Sequence, residues 1–337
     1  MHSAHRRDWK LIRAAWGIMI LLVNLNLAVD YLVEVDALQP GGVQRSQSAR
    51  RQAGGKGVNV ARVLKTLGEE SLLMGFLGGQ AGDLIAEGLR AEGLASRCTP
   101  IQGESRTCLI LHDRSRREQT VINDPGPAIS DAKFREFTAG YERAISDAAL
   151  VVITGSLPPN LPADTYAQLI DAAQAGGQRT LLDCAGTPLR LALEARPFLV
   201  KINATEAAEL VGEAVPDFAA AARAARKMRE MGAAVGAMIT LGALGALLDF
   251  EDARYIFAAP RLATQSSVGS GDAAMAGLAA GTSRGWTAAR TGAFAVAAGA
   301  ANALHGAGQC SAEEIFALQP RVTFTRSVVE ELNRREK

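Results

Sequence analysis

Short apolar runs at residues 18–25, 72–77, 150–154, 180–184, 198–202, 237–241 and 245–250 alternate with stretches whose apolar residues recur every three or four positions. In one such stretch, 131–146, Phe134, Phe137, Tyr141 and Ile145 share a face; in another, 163–175, Tyr166, Leu169, Ile170 and Ala173 do. This alternation predicts an α/β fold, a doubly wound and mainly parallel sheet with helices on both faces. Two places break the pattern. Val29-Asp30-Tyr31-Leu32-Val33-Glu34-Val35-Asp36 alternates with period two, and residues 107–112 with 119–123 predict a hairpin around Asp113-Arg114-Ser115-Arg116-Arg117. Polar residues at every second position do not suit a sheet buried on both faces, so these strands predict a small separate sheet projecting from the main one. Its basic turn reads as a solvated loop tip. No repeat or low-complexity linker divides the chain, which is expected to be one domain over 18–337 with projecting strands at about 28–53 and 105–124.

Composition narrows the classes. A chain of 337 residues, 48% hydrophobic and 21% charged, can bury a full core. The net charge of +1 gives no electrostatic case for nucleic acid. Cys98, Cys108, Cys184 and Cys310 lie far apart, which argues against a zinc site and for a reducing compartment, with the thiols as core filler. Residues 2–13 are basic and 14–23 apolar, a superficial likeness to a secretory signal. Asn24 and Asn26 interrupt the apolar run, so 18–25 is read as a buried first strand and 1–17 as an untied extension, with Met19 open as an alternative start. The chain is expected to be cytoplasmic and to engage no membrane.

The candidate chemistry lies in two glycine clusters. In Ser267-Val268-Gly269-Ser270-Gly271-Asp272, glycines lead into an Ala-rich helical stretch, a pattern that can supply bare N–H groups for an anion with a carboxylate beside them. Asp272 reads either as a base or as a complement to the helix dipole. In Gly54-Gly55-Lys56-Gly57-Val58-Asn59, the glycines open an amphipathic helix whose buried face carries Val60, Val63, Leu64 and Leu67, leaving Lys56 and Asn59 at the exposed end. The spacing is neither a Walker A loop nor Gly-x-Gly-x-x-Gly. The strands end in Thr154-Gly155-Ser156, Asp183, Lys201-Ile202-Asn203 and Thr240-Leu241-Gly242, polar residues that a doubly wound sheet gathers at its carboxyl edge. Asn203 and Glu206, three apart at a helix start, suit either a hydrated magnesium shell or an ordinary first turn.

These residues resemble the ribokinase-type sugar kinases, and within them the phosphofructokinase B branch that phosphorylates hexose phosphates. The resemblance runs from Met19 to about Leu318. It is carried by Leu25-Asn26-Leu27-Ala28-Val29-Asp30, the Gly54 to Asn59 cluster, Gly103-Glu104-Ser105-Arg106-Thr107, Ile122-Asn123-Asp124-Pro125-Gly126-Pro127, Gly155-Ser156-Leu157-Pro158-Pro159, Lys201-Ile202-Asn203-Ala204-Thr205-Glu206, Leu241-Gly242-Ala243-Leu244-Gly245-Ala246 and Gly269-Ser270-Gly271-Asp272. The resemblance implies a ribokinase-like fold with a β-sheet lid and Asp272 as the general base, with the Gly269, Ser270 and Gly271 amides forming an anion hole. By the same resemblance Asp30, Gly54, Gly55, Asn59 and Ser156 bind the sugar, Lys56 and Arg106 hold the phosphate already on it, and Lys201, Asn203, Thr240, Gly242, Gly245 and Asn302 line ATP. Asn203 and Glu206 are implied to hold Mg2+ through water, and the lid to form a homodimer interface. The chain departs from the branch at Leu27 and Ile202, where proline is usual, and at Ser270, where alanine is.

The expected activity is ATP-dependent conversion of fructose 1-phosphate to fructose 1,6-bisphosphate, with fructose 6-phosphate and tagatose 6-phosphate as competing substrates. A nicotinamide-dependent dehydrogenase would need a Gly-x-Gly-x-x-Gly turn after the first strand, which is absent after Leu25. A non-catalytic sugar-phosphate-binding protein is the remaining alternative, against which Asp272 and Glu206 speak.

Overall fold

The computed structural model describes residues 19–116, 118–233 and 235–328; the expected extension at 1–17 lies outside these. In chain order the strands are β1 (Met19–Val23), β2 (Ala28–Val35), β3 (Ser48–Gly54), β4 (Ser71–Leu77), β5 (Ser96–Pro100), β6 (Arg106–Asp113), β7 (Glu118–Asn123), β8 (Ala148–Thr154), β9 (Arg179–Asp183), β10 (Leu199–Asn203), β11 (Gly236–Thr240), β12 (Gly245–Phe250), β13 (Ala253–Ala258) and β14 (Thr323–Val328). They form a ten-stranded sheet of order β14-β13-β12-β11-β10-β9-β8-β1-β4-β5 and a four-stranded sheet of order β3-β2-β6-β7. From β11 to β5 every pairing in the large sheet is parallel, while β12, β13 and β14 add an antiparallel edge.

The parallel strands are apolar on both faces because both are covered. Ile20, Leu22, Leu73, Val152 and Met238 face one core, shared with the helices Lys56–Thr66, Ser270–Ser283 and Ala288–Asn302. Their neighbours Leu21, Val23, Met74, Val151 and Ile153 face a second core, shared with the helices Asp131–Ile145, Thr165–Ala175, Gly186–Glu194 and Phe218–Glu230. In the first core the helices Ser270–Ser283 and Ala288–Asn302 approach closely. A Cβ on Gly277 would lie 2.7 Å from the Ala295 Cα. Small residues at this contact let the backbone that carries Asp272 pack directly on its neighbour.

Register decides what meets at the carboxyl edge. Thr154 pairs with Asp183, and Asn203 with Thr240, so the polar strand ends expected to form a site share one rim. Residues 245–250, expected as one more buried run, form β12 and turn back antiparallel against β11.

The projecting strands form the small sheet, with β6 and β7 as the expected antiparallel hairpin and β2 running parallel to β6. Alternation puts Asp30, Cys108 and Asn123 in a row on one face, together with Ile110 and Gln119. The Ser266 hydroxyl donates to Gln119 Oε1 at 2.9 Å, which turns that face toward the main sheet. Tyr31, Val33, Leu109, Leu111 and Ile122 line the opposite face, where Ile122 is 58% exposed. Among the described residues no helix is long and apolar enough to cross a membrane.

Candidate active site

The helix Ser270–Ser283 begins at Gly269, whose φ of +79° is the left-handed conformation that glycine adopts without strain. A Cβ there would also press within 3.1 Å of the Ala307 Cα. The N–H groups of Gly271 and Asp272 lie in the first turn, where helix geometry provides no acceptor, so they are available to an anion. Ser270 differs: its N–H donates to Ser267 O at 3.1 Å. Asn302 is fully buried beneath this loop. Its Nδ2 donates to Val268 O and to Ser270 Oγ, and its Oδ1 accepts from the Gly308 N–H. Asn302, expected along ATP, thus braces the Val268–Ser270 turn from behind.

Asp272 is 7% exposed and its Oδ2 accepts a 2.8 Å hydrogen bond from Asn59 Nδ2. Burial raises the carboxyl above its ordinary range, against the pull of Lys56, Lys201 and the Asn59 amide. A carboxylate that is desolvated yet still ionisable suits proton abstraction near neutral pH.

Beside it lies a cluster of alternating charge. Lys56 Nζ donates to Asp183 Oδ1 at 2.8 Å and approaches Glu206 Oε1 at 3.4 Å, while Lys201 Nζ donates to Asp183 Oδ2 at 2.6 Å. Burial alone would raise Asp183, but the two ammonium groups hold it below the ordinary carboxylate range. For Lys56 burial works toward a lower value, and Asp183, Glu206 and Asp272 more than reverse it, so the ammonium stays charged. A Cβ on Gly271 would lie 3.1 Å from Lys201 Nζ, which sets this ammonium against the helix mouth.

Asn203 and Glu206 form a capping box on the helix Ala204–Val211: Asn203 Oδ1 accepts from the Glu206 N–H, and Glu206 Oε2 from the Asn203 N–H. The second oxygen, Oε1, faces Lys56. Among the described residues no group of three His, Cys, Asp or Glu could cage a metal. Two oxygen-bearing side chains already engaged in a cap fit an ion that keeps most of its own waters, as magnesium does.

On the other side, Asp30 packs against Gly54, where a Cβ would fall 2.1 Å from the Asp30 Cγ. Burial pushes Asp30 up to about 6, and Asp272 adds to this, while Arg62 and Arg106 oppose it. Asp30 thus feels the charges of Arg62, Asp272 and Arg106. Arg106 Nε donates to Asn26 O at 3.0 Å and Nη1 to Asp124 O at 3.2 Å. Ser156 Oγ accepts from Asn26 Nδ2 at 3.0 Å. At the far end of the rim Thr240 is half-buried, and Gly242 opens onto space with a φ of +57°. Gly245 has a φ of +118°, and a Cβ there would meet Phe257 O at 1.9 Å.

With this geometry in place, the comparisons assign the chain. Residues 21–315 match the pfkB family carbohydrate kinases. The chain belongs to that family. A 1-phosphofructokinase of Xanthomonas campestris pv. campestris is 40% identical over 270 residues, covering 78% of this chain and 84% of that protein. A 1-phosphofructokinase of Bacillus subtilis is 36% identical over 266 residues, covering 79% and 86%. The phosphofructokinase-2 of Escherichia coli, solved with substrates and products, is 27% identical with a TM-score of 0.82, covering 90% of this chain and 99% of that one. This pfkB member is thus a carbohydrate kinase, similar to 1-phosphofructokinases, on the mainly parallel sheet with a second small sheet that the sequence predicts.

Four residues of this pfkB site escaped the sequence reading as site residues. Asn24 Oδ1 accepts from the Gly57 N–H at 2.9 Å, seating the glycine cluster on the end of β1. Asn26 ties the turn at Pro125 to the turn at Ser156. In the sequence both stand as interruptions of an apolar run, and Asn26 also within the Leu25 to Asp30 stretch that carries the resemblance; a polar residue in a buried strand end is itself a signal. Asp183 had been placed on the rim without a role. Arg62 stands one helical turn after Asn59, a spacing that puts the two side chains on one face.

Proposed function

We propose that this protein transfers the γ-phosphoryl group of ATP to fructose 1-phosphate, giving fructose 1,6-bisphosphate and ADP. The observation that carries this reading is Asp272, buried at the first turn of a helix, hydrogen-bonded to Asn59 and next to the Lys56, Asp183 and Lys201 cluster. Phosphoryl transfer needs in-line placement and neutralised charge more than covalent help. Asp272 takes the proton from the attacking sugar hydroxyl as its oxygen bonds to phosphorus and ADP departs. The amides at Gly269, Gly271 and Asp272 receive the non-bridging oxygens, with Ser270 joining once its N–H leaves Ser267. Donors of this kind contribute about 10²–10³ in rate each. Mg2+, carried in with ATP and held by Asn203 and Glu206 through water, supplies further charge neutralisation when bound.

On the sugar side, Asp30 accepts from hydroxyls, with Gly54, Gly55, Asn59 and Ser156 beside it. Arg106 grips the phosphate already present. Lys56 joins it by exchanging one of its carboxylate partners for the phosphate. Binding energy from that group orients the distant hydroxyl. Lys201, Thr240 and Gly242 line the nucleotide, and the four-stranded sheet closes over the sugar and excludes water. The outer face of that sheet, with Tyr31, Val33, Leu109, Leu111 and Ile122, serves as a homodimer interface. A cytoplasmic setting suits ATP chemistry and four free thiols.

The test is coupled ADP production with fructose 1-phosphate, fructose 6-phosphate, tagatose 6-phosphate and ribose. The highest kcat/KM is expected for fructose 1-phosphate, and the Asp272→Asn enzyme should lose at least roughly 10² in kcat with little change in KM for ATP. Turnover of ribose alone would reject the sugar-phosphate reading.

A further inference from the structure

Arg62 lies in the helix Lys56–Thr66, behind the residues assigned to substrate, and is 8% exposed. Its guanidinium has five N–H groups in a rigid fork, and each has an acceptor. Nε and one Nη2 hydrogen go to the two oxygens of Glu92, at 2.6 and 2.7 Å. The other Nη2 hydrogen goes to Ala53 O at 2.7 Å, and Nη1 serves Asn59 Oδ1 at 3.1 Å and Ala307 O at 3.4 Å. These partners come from four parts of the chain. Ala53 is the penultimate residue of the strand that leads into the first glycine cluster, Glu92 follows the helix Gly79–Ala91, Asn59 is one turn away, and Ala307 lies against Gly269 at the mouth of the Asp272 helix.

The bond to Asn59 decides an orientation. A primary amide can face Asp272 with its oxygen or with its NH2 group, and oxygen against carboxylate would repel. Arg62 occupies Asn59 Oδ1, which leaves Nδ2 to donate to Asp272 Oδ2 at 2.8 Å. The run Glu92 to Arg62 to Asn59 to Asp272 is continuous and, apart from Glu92, buried.

We propose that Arg62 is a positioning residue for phosphoryl transfer, acting through Asn59 to aim the Asp272 carboxylate, with Glu92 holding the guanidinium in place. The proposal rests on the reading of Asp272 as the base. Lysine keeps the charge but cannot serve Glu92, Ala53, Asn59 and Ala307 together, because its three donors radiate from one atom. Misplacing a reacting group by about 1 Å costs on the order of 10²-fold in rate.

The experiment uses the full-length enzyme with ATP and its best sugar phosphate, comparing Arg62→Lys, Asn59→Ala, the double variant and Asp272→Asn. Arg62→Lys is expected to lower kcat roughly 10- to 100-fold with KM for ATP within about twofold. In the Asn59→Ala background the same change should cost less than about threefold, since the route to Asp272 is already cut. Glu92→Gln, whose side chain is partly exposed, should show a smaller kcat loss that also vanishes when Asn59 is Ala, and it decides the matter if Arg62→Lys does not fold. Undiminished kcat in Arg62→Lys, or a kcat loss of equal size with and without Asn59, would overturn the assignment while leaving Asp272 as base. An active Asp272→Asn enzyme would take down both.

Discussion

Single residues in this protein are held in states they would not choose in water. Asp30 is the clearest case. Its folded value of about 6 lies above the ordinary 3.8, so the folded state binds a proton more readily than the unfolded chain. The stabilisation this gives is full below about pH 4 and is lost as pH rises through 6. By pH 8 the linkage has removed roughly 3 kcal/mol of the folding stability present below pH 4. Asp30→Asn should therefore match the parent Tm near pH 4 and exceed it increasingly up to pH 7, while KM for the sugar phosphate rises. Thermal melts across that range check this, and a Tm difference independent of pH would refute it. The residues legible in the sequence were those in short local motifs, such as Lys56 and Asn59 after Gly54-Gly55 or Asp272 after Gly269. The distant partners of Asn26 and Arg62 were not: Asn26 reaches Pro125 across 99 residues, and Arg62, besides Asn59 one turn away, reaches Ala307 across 245.

Elements were legible where burial on both faces left continuous apolar runs, as in β1, β4, β8 and β11. The unanticipated strands β5 and β14 are the two edges of the large sheet, where one side of the ladder is unpaired; β13, next to β14, is paired on both sides and largely buried. β5 carries Ser96 and Arg97 and ends at Pro100, and β14 keeps Thr323, Phe324, Thr325 and Arg326 exposed. The helices Ser270–Ser283 and Ala288–Asn302 pose the opposite difficulty, being buried nearly all round and so rich in Ala and Gly that no face stands out. Their contact follows from backbone proximity. Gly277→Ala puts a methyl 2.7 Å from the Ala295 Cα, and neither backbone can withdraw without moving its helix. Overpacking of this kind costs about 1–3 kcal/mol, to be read as a lower denaturant midpoint with unchanged m-value. An unaltered midpoint would mean that the helices part freely.

At the scale of the molecule, two sheets divide the work, with the ten-stranded sheet presenting polar strand ends and the four-stranded sheet presenting Asp30 over them. The existence of both sheets could be read from a change of period, two against continuous apolar runs. Their relative placement could not, because it depends on contacts such as Ser266 to Gln119 across 147 residues. The small sheet's outer face predicts an assembly. Ile122→Asp should shift the sedimentation coefficient from dimer to monomer, and an unchanged value would move the interface elsewhere.

The joint between the two sheets has a mechanical consequence. β3 passes into the helix Lys56–Thr66 through Gly54 and Gly55 alone, and a side chain on Gly55 would strike Asn24 Oδ1 at 2.8 Å. Asp30 thus lies on the small sheet, and Lys56 and Asn59 on the helix, on either side of this joint beside the tip of β1. On the proposed reading, a sugar touching Asp30 and Lys56 together bridges that joint and ties the small sheet to the helix.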